Sequence, residues 1–296
     1  MYYEYYSFRE KPFNLTPDPR FIYLSRNHKE AIAHLLYGID NRAGFISLTG
    51  EVGTGKTTIL RALLDHINTD RYRTAIIFNP CISPPQLLRN ICRELNIGLQ
   101  DDPLDALNQY LLEQNALGRT VVLVIDEAQN LDRPVLEQVR LLSNLETSSE
   151  KLVQIILAGQ PELLQMLARK EFRQLNQRIT VRYHLQPLDF PATVDYINHR
   201  LDIAKGRVVF SRGAARAVFR FSRGYPRLIN ASCDRALLAG YTKNELVITK
   251  RTAMAGISDL KKCTRGSLLK GRFFLAPALI LACIIVTAYI FYFWKP

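Results

Sequence analysis

An α/β fold built on a mostly parallel sheet, followed by a helical second domain and one transmembrane helix, is what this sequence predicts. Three observations carry the prediction. Short apolar segments alternate with helix-period segments between residues 44 and 184. After Pro187 that alternation gives way to consecutive helical patterns. Residues 273–294 then form an uncharged apolar run of 22 residues, close to the ~20 that a helix needs to cross the hydrocarbon core.

Residues 1–28 are rich in aromatics and proline (Phe8, Pro12, Phe13, Pro17, Pro19, Phe21, Tyr23). Proline fixes the backbone and blocks regular ladders, so this stretch reads as an ordered arm. Ile32, Leu35, Leu36 and Ile39 give residues 28–39 a helical period. A short apolar strand at 44–49 runs into a glycine-rich turn at 50–57 and a helix at 58–67. A second strand at 74–78 precedes helical patterns at 85–95 and 104–116. Residues 120–125 (TVVLVI) read as a strand buried on both faces. Helix 135–145, strand 152–158, helix 161–168 and strand 179–184 complete the alternation. Beyond a boundary near Asp189, helices are predicted at 193–204, 212–221, 226–239 and about 250–260, with 246–248 as a candidate short strand.

The net charge of +12 is unevenly placed. Half of it lies in residues 261–296, through Lys261, Lys262, Arg265, Lys270, Arg272 and Lys295, with no Asp or Glu. Basic charge just before an apolar span points first to anionic lipid headgroups and second to nucleic acid. It should also keep residues 1–272 cytoplasmic. Tyr289, Tyr292 and Trp294 gather toward one end of the span, as an interfacial aromatic belt would. Five cysteines, an odd count without Cys-x-x-Cys spacing, argue against a disulfide framework or zinc site and for a reducing compartment. The first residues lack the basic-then-apolar pattern of a cleavable signal peptide.

Gly50-Glu51-Val52-Gly53-Thr54-Gly55-Lys56-Thr57 fits G-x-x-x-x-G-K-[ST] at every fixed position, after a predicted strand and opening a predicted helix. Glycines let the backbone turn its N–H groups toward phosphate, and the helix N-terminus adds a favourable dipole. Lys56 is expected to reach the β- and γ-phosphates of ATP, and the Thr57 hydroxyl to hold Mg²⁺. The predicted nucleotide-binding set is therefore residues 50–57 with Thr58. The bland alternative is a tight glycine turn.

At the end of the apolar strand 120–125 stand Asp126 and Glu127. Ligands of open α/β sheets gather at such C-terminal strand ends. Asp126 is expected to hold Mg²⁺, and Glu127 to act as general base toward the attacking water, from the strand adjacent to the phosphate-binding loop. A helix N-cap Asp followed by a solvated Glu is the alternative.

These motifs, a later polar strand end and a helical second domain resemble an AAA+ ATPase. The closer resemblance is to the ExeA-type general secretion pathway protein A ATPases and their relatives in pilus and exopolysaccharide systems. It is carried by residues 12–20 (PFNLTPDPR), 34–38 (HLLYG), 48–58, 125–129 (IDEAQ), 158–163 (AGQPEL), 177–179 (QRI) and 224–230 (GYPRLIN). The resemblance implies a three-layer sandwich core at 43–189 and a helical lid at 190–260. Before the core lie the arm and first helix at 1–42. After the lid come a basic juxtamembrane segment at 261–272 and the span at 273–294. It further implies Gln160 as sensor 1, Arg227 as sensor 2 and Arg178 as an arginine finger acting on a neighbouring subunit, with Arg173 and Arg140 as rivals. Phe13, Tyr23, Leu24 and His28 become candidates to pack on adenine, with core packing as the other reading.

The expected function is a single-pass inner-membrane ATPase with its ATPase domain in the cytoplasm. It would self-associate, as a ring, and drive or regulate assembly of a secretion, pilus or polysaccharide-export system through a membrane-protein partner. The alternative class is a DNA-associated AAA+ ATPase of the transposition-helper or origin-binding type, although nucleic acid is not the expected partner. Many ExeA-type proteins carry a peptidoglycan-binding domain after the span. This sequence stops two residues beyond Trp294, so a short form is expected, with a truncated chain as the other reading.

Overall fold

The computed structural model describes residues 2–273 apart from 17, 79–80, 99–100 and 148–149, with side chains up to residue 262. In chain order its elements are α1 (Tyr2–Tyr5), α2 (Arg26–Asp40), β1 (Phe45–Gly50), α3 (Lys56–His66), β2 (Tyr72–Ile77), α4 (Pro84–Glu94) and α5 (Pro103–Ala116). There follow β3 (Thr120–Ile125), α6 (Arg133–Leu142), β4 (Val153–Gly159), α7 (Glu162–Leu167), α8 (Arg173–Arg178) and β5 (Ile179–Leu185). The chain continues through α9 (Phe190–Ile203), β6 (Val209–Phe210), α10 (Arg212–Ser222), α11 (Pro226–Tyr241), β7 (Val247–Ile248) and α12 (Lys250–Phe273).

Two compact units emerge. The first spans Pro17–Ala192 together with Tyr225–Arg227. Its five strands are all parallel, in the order β2-β3-β4-β1-β5. Alternate residues of the strands feed two apolar clusters, as a period of two requires. Val121, Leu123 and Ile125 of β3 join Leu87, Leu111, Leu136 and Leu163 from α4 to α7 on one face. Val122 and Val124 join Leu35 of α2 and Leu60 of α3 on the other. The result is a three-layer α/β sandwich, and β3 and β4 are buried along their whole length, as continuous apolar runs between two helical layers must be.

The order of strands corrects one expectation. The Asp126-Glu127 strand, β3, is not adjacent to the P-loop strand β1, because β4 lies between them. Both neighbours are parallel to β4, so the C-terminal ends of β1, β4 and β3 still open on one edge of the sheet.

The second unit gathers residues 2–16, Thr193–Gly224 and, among the described residues, 228–273. Tyr6 is fully buried there, its hydroxyl donating to the carbonyls of Leu237 at 3.2 Å and Glu245 at 3.1 Å. Arg200, also buried, donates to the Pro12 carbonyl and to the Tyr196 hydroxyl, so its guanidinium leaves water without losing partners. Phe13 packs edge-on against Phe210, ring centroids 6.1 Å apart. The strands β6 and β7 pair in parallel over two residues each. Helix α12 continues through the basic segment that follows residue 260. Among the described residues no helix is long and apolar enough to cross a membrane. The predicted span, apart from Phe273, lies outside the described residues.

Candidate functional site

The site is assembled at the C-terminal edge of the sheet. Gly50 ends β1, and a Cβ there would stand 2.9 Å from the Leu185 carbonyl oxygen and 3.0 Å from Thr54 Oγ1. Only glycine allows that approach. The chain then loops through exposed Glu51 and Val52, past Gly53, to buried Thr54, whose hydroxyl donates to the Glu51 carbonyl at 2.8 Å. Gly55 caps α3 at φ +105°, a left-handed backbone that side chains resist. Lys56, Thr57 and Thr58 form the first turn of α3, where unpaired amide hydrogens and the helix dipole favour an anion.

Lys56 is 6% exposed, and its ammonium donates to the carbonyls of Gly50 at 2.8 Å and Glu51 at 3.2 Å. Burial pushes its pKa down, while the carboxylates of Glu127, Asp126, Glu51 and Glu162 oppose that shift. Thr57 Oγ1 donates to Asp126 Oδ2 at 2.6 Å. Asp126 is 3% exposed, and its other carboxylate oxygen accepts the Glu127 N–H at 2.9 Å. The first turn of α3 and the end of β3 therefore meet, although their strands are not neighbours.

The intervening strand supplies the next residue. Gln160 follows Gly159 at the end of β4, and its Nε2 donates to Glu127 Oε2 at 3.3 Å. Gln129 joins the two. Its Nε2 donates to Glu127 Oε2 at 2.6 Å, and its Oε1 accepts the Gln160 N–H at 2.9 Å. Gln129 belongs to the IDEAQ stretch, and no role for it is legible from sequence alone. Its place two residues after Glu127, on the turn leaving β3, was the available signal. Glu127 itself has φ 53° and ψ 38°, left-handed backbone that is uncommon for a residue with a long side chain.

The structure thus brings Lys56, Thr57, Asp126, Glu127 and Gln160 together. Arg227 lies in the segment grouped with this unit, its Cβ 3.1 Å from the point a Cβ on Gly53 would occupy. Arg178 is elsewhere. It ends α8, one residue before β5, and its Nη1 donates to Ser143 Oγ at 2.8 Å and Asn144 Oδ1 at 2.5 Å. Gly50 pairs with Leu185 at the far end of β5. At ~3.3 Å per strand residue, Arg178 stands about 20 Å from the phosphate-loop edge. Of its rivals, Arg140 forks onto Glu137 of its own helix, and Arg173 is exposed. Of the candidates for adenine, Phe13 belongs to the second unit, while His28 donates toward the loop itself.

Comparison with known proteins bears on the family and the fold. The AAA domain family matches residues 39–167. General secretion pathway protein A of Aeromonas hydrophila is 45% identical over 250 residues, 82% of this chain and 45% of that protein. The chain therefore spans about half the length of that curated relative. Among solved structures, the Aeropyrum pernix ORC2 protein in its ADPNP-ADP complexes has a TM-score of 0.64 at 15% identity, over 85% of this chain and 72% of that one. A Walker-type ATPase of Pyrococcus abyssi has a TM-score of 0.59 at 19% identity, over 88% and 79%. Those two likenesses are of fold. Through its AAA domain and its relationship to the Aeromonas protein over most of its own length, the chain belongs to the general secretion pathway protein A family of AAA proteins.

Proposed function

We propose that the chain is a membrane-anchored ATP hydrolase that drives or regulates assembly of a bacterial envelope machine for secretion, pilus formation or polysaccharide export. The observation that carries the hydrolase reading is the 2.6 Å contact between Thr57 Oγ1 and Asp126 Oδ2, beside the buried Lys56 ammonium. A hydroxyl and a carboxylate converging there are hard oxygen donors. They fit Mg²⁺, which binds through one or two carboxylates plus the phosphates of its nucleotide. Thr57 and Asp126 would hold the ion, which would supply positive charge against the phosphates.

The chain's own groups then have distinct tasks. The amides of the loop from Gly50 to Thr58 cradle phosphate, and Lys56 offsets charge on the transferred group. Glu127 accepts a proton from the attacking water, and Gln160 orients that water. Gln129 bonds both and holds them in one geometry. Arg227 reads the γ-phosphate. Arg178 is the finger offered to a neighbouring copy in a ring, a role its distance from the loop of its own chain favours. The membrane reading rests on residues 261–294, where helix α12 carries the basic segment up to the apolar run. Inner-membrane lipid and a membrane protein of the assembled machine are the partners that reading implies. A DNA-associated role draws no support from the ORC2 likeness, which extends to fold alone.

Steady-state turnover with Mg²⁺ and ATP, wild type against Glu127→Gln, tests the enzyme. The variant should bind ATP and turn it over ~10²–10⁴-fold more slowly; equal rates would end the hydrolase reading. Nuclease-treated membrane fractionation tests the anchor. The full chain should sediment with membranes, and a chain cut after residue 272 should not.

A further inference from the structure

The P-loop carries a contact that the reaction chemistry does not use. His28, in the first turn of α2, is 4% exposed and points at the loop. Its Nε2 lies 3.1 Å from the Thr54 carbonyl oxygen. On the other side of the ring, Nδ1 takes the Ser25 backbone N–H at 3.2 Å and faces Ser25 Oγ at 3.0 Å. These partners fix the tautomer from both ends. A carbonyl oxygen only accepts, so Nε2 must carry the hydrogen. A backbone N–H only donates, so Nδ1 must be bare. Burial also pushes the imidazole pKa down, which keeps the ring neutral.

The consequence follows from the planar trans peptide. The C=O of one residue and the N–H of the next point in opposite directions. Holding the Thr54 carbonyl toward α2 therefore turns the Gly55 N–H away from α2, which the ATP-binding reading makes the phosphate side. Gly55 is one of two positive-φ glycines in the loop, with Gly53, and such a position gains from a restraint. Its φ of +105° is open to glycine, and with no Cβ its flanking peptide flips readily. The same ring fills the space beside it, since a Cβ on Gly55 would lie 3.1 Å from His28 Nε2.

We propose that His28 is a positioning residue for phosphate binding, locking the Thr54–Gly55 peptide so that the loop meets a nucleotide already in its binding orientation. The proposal rests on the ATP-binding reading above and assigns His28 to the loop instead of to the adenine ring. Preorganisation of this kind strengthens binding by removing an ordering cost. A lock present with and without nucleotide raises Kd and KM when lost and leaves kcat at saturation nearly unchanged.

Two polar variants separate the contacts. His28→Gln places an amide N–H near the Nε2 position and can still donate to Thr54. His28→Asn is shorter and reaches only the Ser25 side. The probes are Mg-ADP, adenosine and inorganic pyrophosphate, titrated by calorimetry against the full chain, with Lys56→Ala as the reference for an emptied phosphate site. His28→Asn should weaken both ADP and pyrophosphate about 3- to 10-fold, the worth of one buried hydrogen bond. His28→Gln should recover most of that loss, with kcat within about two-fold of wild type for both. A loss seen with ADP and adenosine but not with pyrophosphate would assign His28 to the base and overturn the proposal. Wild-type affinity in His28→Asn, beside lost binding in Lys56→Ala, would overturn it while leaving the nucleotide reading intact. Absence of nucleotide binding by the wild type would overturn both.

Discussion

The two edges of one parallel sheet treat polar side chains in opposite ways. At the C-terminal edge, Lys56, Thr57, Asp126, Glu127, Gln129 and Gln160 arrive from three strands and converge on each other. At the N-terminal edge, Arg178 spends its guanidinium on Ser143 and Asn144, which close the C-terminus of α6. The first group is complete within one chain. The second is a local structural bond, and a part in the reaction would require another molecule to come to it. In a parallel sheet this asymmetry has a plain cause. All strands end on the same side, so loops leaving them share one small region, and groups placed there meet without further design.

The largest expected effect would break the comparison. If Arg178 serves a neighbour's nucleotide, Arg178→Ala should lower turnover ~10³–10⁵-fold while ATP binding persists. Mixing it with Glu127→Gln should restore activity, because some junctions would then pair an intact Glu127 with an intact Arg178. Two inactive proteins that stay inactive together, or an active Arg178→Ala, would leave Arg178 a local strut worth about 1 kcal/mol. The converse holds for the complete edge. Lys56→Ala should cost ~10²–10³ in turnover through loss of a preorganised charge. Mixing it with Glu127→Gln should not restore activity, since Lys56 and Glu127 serve the same chain's site and no junction would then hold both.

The smallest effect concerns Glu127. Its left-handed backbone suits Asn or Gly better than Glu. Glu127→Asn should therefore stabilise the fold by roughly 1 kcal/mol, read as a higher melting temperature, while turnover disappears. A variant that melts lower would show that the bonds from Gln129 and Gln160 outweigh the backbone strain.

Much of this molecule was legible in the sequence, for reasons that differ by residue. The run TVVLVI announced a strand buried on both faces because β-branched residues at every position leave no polar side to expose. The spacing of Gly50, Gly55, Lys56 and Thr57 announced the loop because each residue type answers a separate geometric demand. What the sequence did not carry was order across the sheet. Nothing local in β1, β3 or β4 says which two are neighbours, and the reading that put β3 beside β1 failed for that reason. The six-residue helix α8 was also missed, being too short to be stable by propensity and held by packing such as that of buried Leu175. The aromatic arm was legible as ordered but not as to place: Tyr6 and Phe13 are buried in the helical unit through contacts made by residues some two hundred positions away.

The backbone at Glu127 carries one more lesson. Should Glu127→Asn stabilise the fold, the glutamate is held at that position by a demand outside folding. Copies of this chain released from hydrolysis, kept for scaffolding alone, would drift at that position toward asparagine or glycine, with no loss of solubility or yield. Inspecting that single codon among relatives would then separate working motors from retired ones before any protein is purified.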